Sequence, residues 1–438
     1  MRNLFRNRLQ TMKTYLYPPR EAWDDLLSRP LQQENETITA RVAEIIERVR
    51  TEGDAALRDL SARIDGVELS LLTVTADEIA AADAALSDEL KTAIRNARQH
   101  IETFHRAQIM TPVRVETLPG VVCEQRSVPI HRVGLYIPGG SAPLFSTVLM
   151  LAVPARIAGC AEVVLCTPPR KDGTVAPEIL WTAGLCGVTR IFKVGGAQAV
   201  AAMAFGTSSV PRVNKIFGPG NRYVTTAKQL LGLSRVAIDM PAGPSEVMVL
   251  GDETARAPFV AADLLSQAEH GPDSQAVLVT TSPALAEAVE REVAVQLRQL
   301  GREAVAERAL EESRIFVVAD TDEMLEMANR YAAEHLIVEM ADPETVAARI
   351  ENAGSIFLGH YSPESVGDYA SGTNHTLPTS GWAVAYSGVN LDSFCKKITY
   401  QRLTVEGLRA LAPTVTAMAT AEGLDAHRRA VTIRLTDV

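Results

Sequence analysis

The chain has 438 residues, of which 47% are apolar and 22% charged. That balance excludes a disordered or fibrous protein and leaves room for roughly two to four folding units. Against 43 basic residues stand 53 acidic ones, and the net charge of −10 repels phosphate backbones and excludes nucleic acid as a primary partner.

No run reaches the ~18 apolar residues of a membrane span, and the best stretch, 148–157, is short and interrupted by Pro154. The five cysteines are an odd number without a C-x-x-C pair, which excludes a disulfide framework and fits a reducing cytoplasm. Residues 1–11 carry Arg2, Arg6 and Arg8 but no apolar core, so they are no secretory signal and read as an upstream extension or frayed tail before Met12.

The first hundred residues read as helices. Ile38, Val42, Ile45, Ile46 and Val49 recur at helical spacing in a segment, 37–64, that stops near Gly66. Thr75 with Glu78 has the form of a capping box and opens a helical region reaching Gln108. Asp65-Gly66 and Pro119-Gly120 are turn signals.

After Pro119 short β-rich runs alternate with helical ones. The runs 133–137, 162–166, 190–194 and 215–217 lead into Pro138-Gly139-Gly140, Pro168-Pro169, Gly195-Gly196 and Gly218-Pro219-Gly220. This rhythm predicts a parallel sheet with helices on both faces. A second series has strands at 246–250, 276–280, 314–319, 335–340 and 355–358, with helices at 256–269, 284–300, 321–334 and 343–353. Two such series suggest two α/β units, though no fixed period repeats. From Ser387 the pattern turns mostly helical, with amphipathic stretches at 405–411 and 417–424. Such a tail has little core of its own and must pack on its own body or on a partner subunit.

Of the eight histidines, His100, His105 and His131 sit among Arg and Glu and read as solvated or locally bonded, and His360 as structural. If the helix reaches His270, Gln267 and His270 share a face at its C-terminal end before Gly271-Pro272, where they could be two ligands of a divalent metal or a capped surface end. Glu334-His335 falls at a helix-to-strand junction, where an acid beside an imidazole can serve acid/base chemistry in a sheet crevice. Asp368 through His375 runs from a short helix into a polar loop held by Pro378, offering a hard oxygen and an imidazole. Glu422 and His427 straddle Gly423 in the tail with no local explanation.

No G-x-G-x-x-G, G-x-S-x-G, Walker A or H-E-x-x-H motif occurs. Gly195-Gly196-Ala197-Gln198 and Gly218-Pro219-Gly220-Asn221 each follow a strand and precede a helix, as phosphate-binding joints or as tight turns. Ser245, in Pro241-Ala242-Gly243-Pro244-Ser245-Glu246, lacks a nucleophile elbow.

Taken together, the stretches GLYIPGGSAPLFSTVLMLAVPARIAGC, VGGAQAVAAMAFGT, KIFGPGNRYVTTAK, IDMPAGPSEV, LLSQAEHGPDSQ, AEHLI, GDYASGTNHTLPT and AEGLDAHRRAV closely resemble the histidinol dehydrogenase family, from about Met12 onward. The resemblance implies oxidation of L-histidinol to L-histidine through L-histidinaldehyde, the last step of histidine biosynthesis, with two NAD reduced in turn.

It further implies one Zn2+ per subunit, held by Gln267, His270, Asp368 and a His427 supplied across a homodimer, the metal positioning the substrate. Glu334 and His335 would be the catalytic pair, with His335 moving the hydroxyl proton and Glu334 activating water at the aldehyde. Ser245, Gln267, His270, His335, Asp368, His375, Glu422 and His427 would bind substrate, and Tyr136, Gln198 and Asn221 would contact NAD. Cys395, Ile337 and 386–390 lie where relatives vary, and none removes a ligand or catalytic residue.

The implied fold is α/β, with two incomplete Rossmann-like domains, a helical N-terminal region and a helical C-terminal tail in an interlocked homodimer. The expected division is 1–35 as an N-terminal segment, 36–135 as the helical part of the first α/β domain, 136–236 as an inserted NAD-contacting domain, 237–386 as the remainder of the first with the zinc and catalytic residues, and 387–438 as the crossing tail. A cytoplasmic enzyme without membrane or nucleic-acid partners is expected. The alternative is a zinc hydrolase in which Glu334 activates a metal-bound water. A thiohemiacetal mechanism on Cys123 or Cys160 is disfavoured because neither has a nearby His or Lys in sequence to lower its pKa.

Overall fold

The segment 37–64 does not form one helix. Gly53, at φ +58°, separates Glu36–Glu52 from Asp54–Leu60, and a π-type turn, Ser61–Asp65, ends at Gly66 in the left-handed region. The computed structural model describes residues 12–29, 36–139, 143–241 and 243–436. The expectations for 1–11, and those for Gly140 and Ala242, lie outside the described residues. The capping box at Thr75 and Glu78 forms as expected and opens Ala76–Ala85. Ser87 then caps a second helix, Asp88–Arg106, by accepting from the N–H of Leu90, so this region is two helices as well.

The strands are, in chain order, β1 (Lys13–Leu16), β2 (Val113–Leu118), β3 (Val121–Pro129), β4 (Arg132–Tyr136), β5 (Glu162–Thr167), β6 (Arg190–Lys193), β7 (Lys215–Phe217), β8 (Ala237–Ile238), β9 (Glu246–Gly251), β10 (Gln275–Thr280), β11 (Arg314–Val317), β12 (His335–Glu339), β13 (Ser355–Leu358) and β14 (Cys395–Leu403). They form two parallel sheets and one antiparallel sheet. The five-stranded sheet has the order β6-β5-β4-β7-β8 and the six-stranded one β1-β11-β10-β9-β12-β13. Counted from its first strand in chain order, each runs 3-2-1-4-5, with β1 added at one edge of the larger.

Each parallel sheet is buried on both faces, as the two-residue alternation of its side chains requires. In the larger, Val247, Val249, Leu278, Ile315 and Ile337 pack on one side and Met248, Leu250, Val279, Phe316 and Leu336 on the other. In the smaller, Val133, Leu135, Val163 and Leu165 face the helices Phe145–Ala158 and Asp88–Arg106, while Val164, Cys166 and Phe192 face Val42, Ile45 and Val49. The helices of 36–106 therefore cover the five-stranded sheet, not the six-stranded sheet that carries β9 and β12. A division at 135/136 cuts this sheet from its cover and falls inside β4.

Two further expectations are corrected. The N-terminal region is not purely helical, because β1 pairs in parallel with β11 and Tyr15 stacks on Phe316 at 5.4 Å. The C-terminal tail is not purely helical either. β14 pairs antiparallel with β3, which also pairs with β2, in a three-stranded sheet. Most of β2 and β14 is exposed, so neither carries the buried alternation that marks a strand in sequence. The helices Val405–Ala421 and Asp425–Thr432 follow, and the second buries no residue. Among the described residues, no helix is long and apolar enough to cross a membrane.

Candidate active site at the amino edge of the six-stranded sheet

Glu334 and His335 stand where the chain enters β12, and Glu246 opens the neighbouring β9. The site therefore lies at the amino ends of the strands, not in the crevice at their carboxyl ends where open α/β sheets usually bind ligands. Ala332, in the left-handed region at φ 51°, ends the helix Thr321–Tyr331 and turns the chain into the strand.

His335 is 3% exposed. Its Nδ1 lies 3.7 Å from Glu334 Oε2 and 3.8 Å from Glu364 Oε1, and its Nε2 lies 3.4 Å from Asp368 Oδ1. Both ring nitrogens and Asp368 Oδ1 are buried without a hydrogen-bond partner. Buried polar atoms are normally satisfied, so such orphans mark a place shaped for something else.

Glu334 accepts a hydrogen bond from the backbone N–H of Glu246 at 2.9 Å. Gln267, on the helix Ala257–Ala268, is fully buried. With its amide turned to suit both neighbours, it donates to Glu364 at 2.6 Å and accepts from the same Glu246 N–H at 3.1 Å. The expected helix to residue 269 ends one residue earlier, and His270 sits in the following turn, its N–H donating to Gln267 O at 3.2 Å. Ligand atoms of His270, Glu364 and Asp368 all lie within 4.8 Å of one another.

The electrostatics follow from three buried carboxylates, Glu334, Glu364 and Asp368, around one imidazole. Burial pushes Glu334 up to about 8, and Glu364 likewise to about 8. Burial works against a charged His335, but the carboxylates of Glu364, Glu334 and Asp368 outweigh it and raise the ring to about 10. Burial also opposes the Asp368 charge, yet the adjacent His335 holds this carboxyl below its ordinary value. Burial lowers both His270 and His375. Burial causes most of these shifts, and the carboxylates around His335 cause its own; a cation seated among them would take over the charge balance that the imidazolium now supplies.

His375 is half-buried between the two α/β units. Its Nδ1 donates to Asp368 O at 2.9 Å, and its Nε2 lies 3.3 Å from Thr147 Oγ1, on the helix Phe145–Ala158. Ser245 is half-buried just before β9, and its carbonyl accepts from Gln275 N–H at 3.2 Å. Glu422 and His427 are exposed on the terminal helices, and within one chain His427 is not part of the His270, Glu364 and Asp368 group. The remaining histidines are accounted for locally: His100 by Ala370 O, His105 by Ile101 O and Asn374, His360 by Glu339, while His131 stays exposed 4.0 Å from Glu162. Burial raises Cys160 to about 12, which removes any thiolate at neutral pH.

The three nucleotide-contact candidates gather at the carboxyl edge of the five-stranded sheet. Tyr136 ends β4, and its hydroxyl accepts from Gly196 N–H at 3.1 Å. Gln198 is buried in the helix Gly196–Phe205. Asn221 caps Arg222–Gly232, accepting from the N–H groups of Tyr223 and Val224 at 3.1 and 3.2 Å. Between β4 and β7 the strand order reverses, and at such a switch point open α/β sheets leave a crevice. Gly218 lines it at φ +121°, where a Cβ would lie 2.1 Å from Tyr136 O, so only glycine fits this approach.

Two residues of the acid cluster escaped the sequence reading. Glu364 precedes Asp368 by four positions, one helical turn, and that spacing was the available signal. Glu246 directly follows Ser245 but gives no local hint of burial beside Glu334.

A family model for histidinol dehydrogenase matches residues 28–435. The histidinol dehydrogenase of Bacteroides thetaiotaomicron is 58% identical over 424 residues, covering 97% of this chain and 99% of that protein. That of Vibrio cholerae is 56% identical over 414 residues, covering 94% of this chain and 95% of its own. The crystal structure of histidinol dehydrogenase from Elizabethkingia anophelis superposes with a TM-score of 0.95 at 49% identity, covering 98% of each chain.

Proposed function

Since this chain belongs to the histidinol dehydrogenase family, the oxidoreductases of histidine biosynthesis, we propose that it oxidises L-histidinol to L-histidine through L-histidinaldehyde, using two NAD in succession. The observation that carries this reading is the buried Glu334-His335 couple beside the His270, Glu364 and Asp368 group. An acid and an imidazole in contact, both withdrawn from water, suit a reaction that moves protons in both of its steps.

The orphaned His335 and Asp368 atoms, and the convergence of His270, Glu364 and Asp368 ligand atoms, fit a divalent cation; Gln267, His270 and Asp368 would hold zinc together with His427 of the partner subunit, with Glu364 behind the Gln267 amide. Such an ion, when bound, would supply a fixed charge gripping the substrate's imidazole and amino group. His427 is exposed on a helix that buries nothing in its own chain, which supports a role across a homodimer. Once a cation engages the carboxylates that hold its proton, His335 would be a neutral base able to take the hydroxyl proton as hydride leaves the alcohol carbon for NAD. Glu334, whose raised proton affinity suits a general base near neutral pH, would then draw a proton from the water that attacks the aldehyde. Ser245, His375 and Glu422 would complete the substrate contacts. Tyr136, Gln198 and Asn221 would line the nucleotide crevice, where Gly218 allows close backbone approach.

The test is NADH formation from histidinol, expected at two NADH per substrate, together with Glu334→Gln. That variant should slow aldehyde oxidation roughly 10²-fold or more and alcohol oxidation less. Equal slowing of both steps removes the water-activating role. No NADH from folded, zinc-loaded protein favours hydrolysis at the same site.

A further inference from the structure

Arg29 lies far from Glu334 in sequence and in no regular element, yet it reaches beneath the site. Its guanidinium donates to both carboxylate oxygens of Glu246, at 2.5 and 2.8 Å, and to the carbonyl of Tyr331 at 2.6 Å. The same plane lies 4.0 Å over the Tyr331 ring. The Tyr331 hydroxyl is tied in turn to Gln275 Oε1 at 2.8 Å, and Gln275 to Glu312 O at 2.9 Å. One side chain thus joins the first residue of β9 to the last residue of the helix that precedes Glu334.

Those two attachment points set the geometry of Glu334. The N–H of Glu246 is the donor that Glu334 Oε2 accepts, and it also faces Gln267 Oε1. Tyr331 stands three residues before Glu334, across the left-handed turn at Ala332. A buried ion pair is weak evidence for stability by itself, since desolvation offsets most of its attraction. A two-oxygen guanidinium–carboxylate fork does fix direction, and lysine cannot reproduce it.

We propose that Arg29 is a positioning residue for Glu334, acting through Glu246 and Tyr331 to aim the carboxylate at the aldehyde-stage water; this rests on the reading of Glu334 as the water-activating base. The effect belongs to the second half-reaction. A displacement of an ångström at a catalytic group costs up to about 10²-fold in rate, so a looser tie should be visible in turnover.

The experiment uses the full-length, zinc-loaded enzyme with Arg29→Lys, Arg29→Gln, Glu246→Gln and Glu334→Gln, and Arg29→Lys combined with Glu334→Gln. Alcohol and aldehyde oxidation are measured separately, alongside thermal unfolding. Arg29→Lys and Glu246→Gln are expected to lower kcat for aldehyde oxidation roughly tenfold, with KM and the alcohol step changed much less. In the Glu334→Gln background Arg29→Lys should cost nothing further. Should Arg29→Gln fail to fold, Arg29→Lys and Glu246→Gln decide. Unchanged kcat in both, a loss confined to KM, or a full additional loss in the double variant overturns the positioning role while leaving Glu334 as base. If Glu334→Gln alone oxidises the aldehyde at the wild-type rate, the underlying reading falls, and the positioning role with it.

Discussion

In the five-stranded sheet, the glycine-rich joints follow the carboxyl ends of β4, β6 and β7; in the six-stranded sheet, Glu246 and His335 begin β9 and β12. Both sheets have the same strand order, so topology does not decide which edge carries chemistry. Helix polarity offers a reason. At the carboxyl edge of a parallel sheet, helices begin, and their free N–H groups face outward and favour anions. At the amino edge, helices end. Ala257–Ala268 delivers Gln267 and His270 there, and Thr321–Tyr331 delivers Glu334. Carbonyl ends and carboxylates together make that edge attractive to cations. Helix polarity thus favours anions at the carboxyl edge of one sheet and cations at the amino edge of its near twin, and His375, whose Nε2 lies 3.3 Å from Thr147 Oγ1, links the two units.

The largest test of this contrast removes a carboxylate from the cation edge. Asp368→Ala should abolish stoichiometric zinc on elemental analysis and histidinol-dependent NADH formation with it, a loss beyond the roughly 10–100-fold typical of outer-shell partners. Full zinc content in the variant would break the assignment. Next comes the anion edge. Gly218→Ala places a Cβ 2.1 Å from Tyr136 O at a positive φ. It should cost on the order of 3 kcal/mol in thermal unfolding and raise the KM for NAD while leaving zinc content intact. An unaltered KM for NAD in folded protein would detach that crevice from the nucleotide.

The smallest effect concerns the opposite end of the six-stranded sheet, where Glu339 closes β12 with Oε2 unpaired and Asp263 lies nearby. Burial, and then the Glu339 charge, push Asp263 up to about 7. The unfolded carboxyl titrates near 4, so between about pH 4 and 7 the folded state holds more protons, and stability falls as pH rises through that window. Asp263→Asn should therefore raise the melting temperature at pH 8 by a few degrees and leave it unchanged below about pH 4. A lower melting temperature at pH 8 would mean that the charged Asp263 has a stabilising partner.

Much of the parallel architecture was legible because buried strands announce themselves: β7 and β13 fell where the pattern put them, and the other core strands within a residue or two. The outer strands were not legible. β2 and β14 expose most of their side chains and pair only with β3, so their sequences carry no buried face to read. Of the site, Glu334-His335, Gln267, His270 and Asp368 stood out by residue type and by resemblance. Glu364 was missed although its spacing to Asp368 was a signal, and Glu246 and Arg29 did not stand out because each draws its significance from a neighbour distant in sequence.

Residue order alone settled the alternation of strands and helices, the glycine at 218 and the presence of an acid–imidazole pair, since these depend on periods and contacts a few positions long. Only the folded chain decided that this pair sits at the amino edge, that three carboxylates crowd one imidazole, and that Arg29 ties the start of β9 to the turn before Glu334. Such relations are set by packing between segments tens to hundreds of residues apart, and no local pattern encodes them.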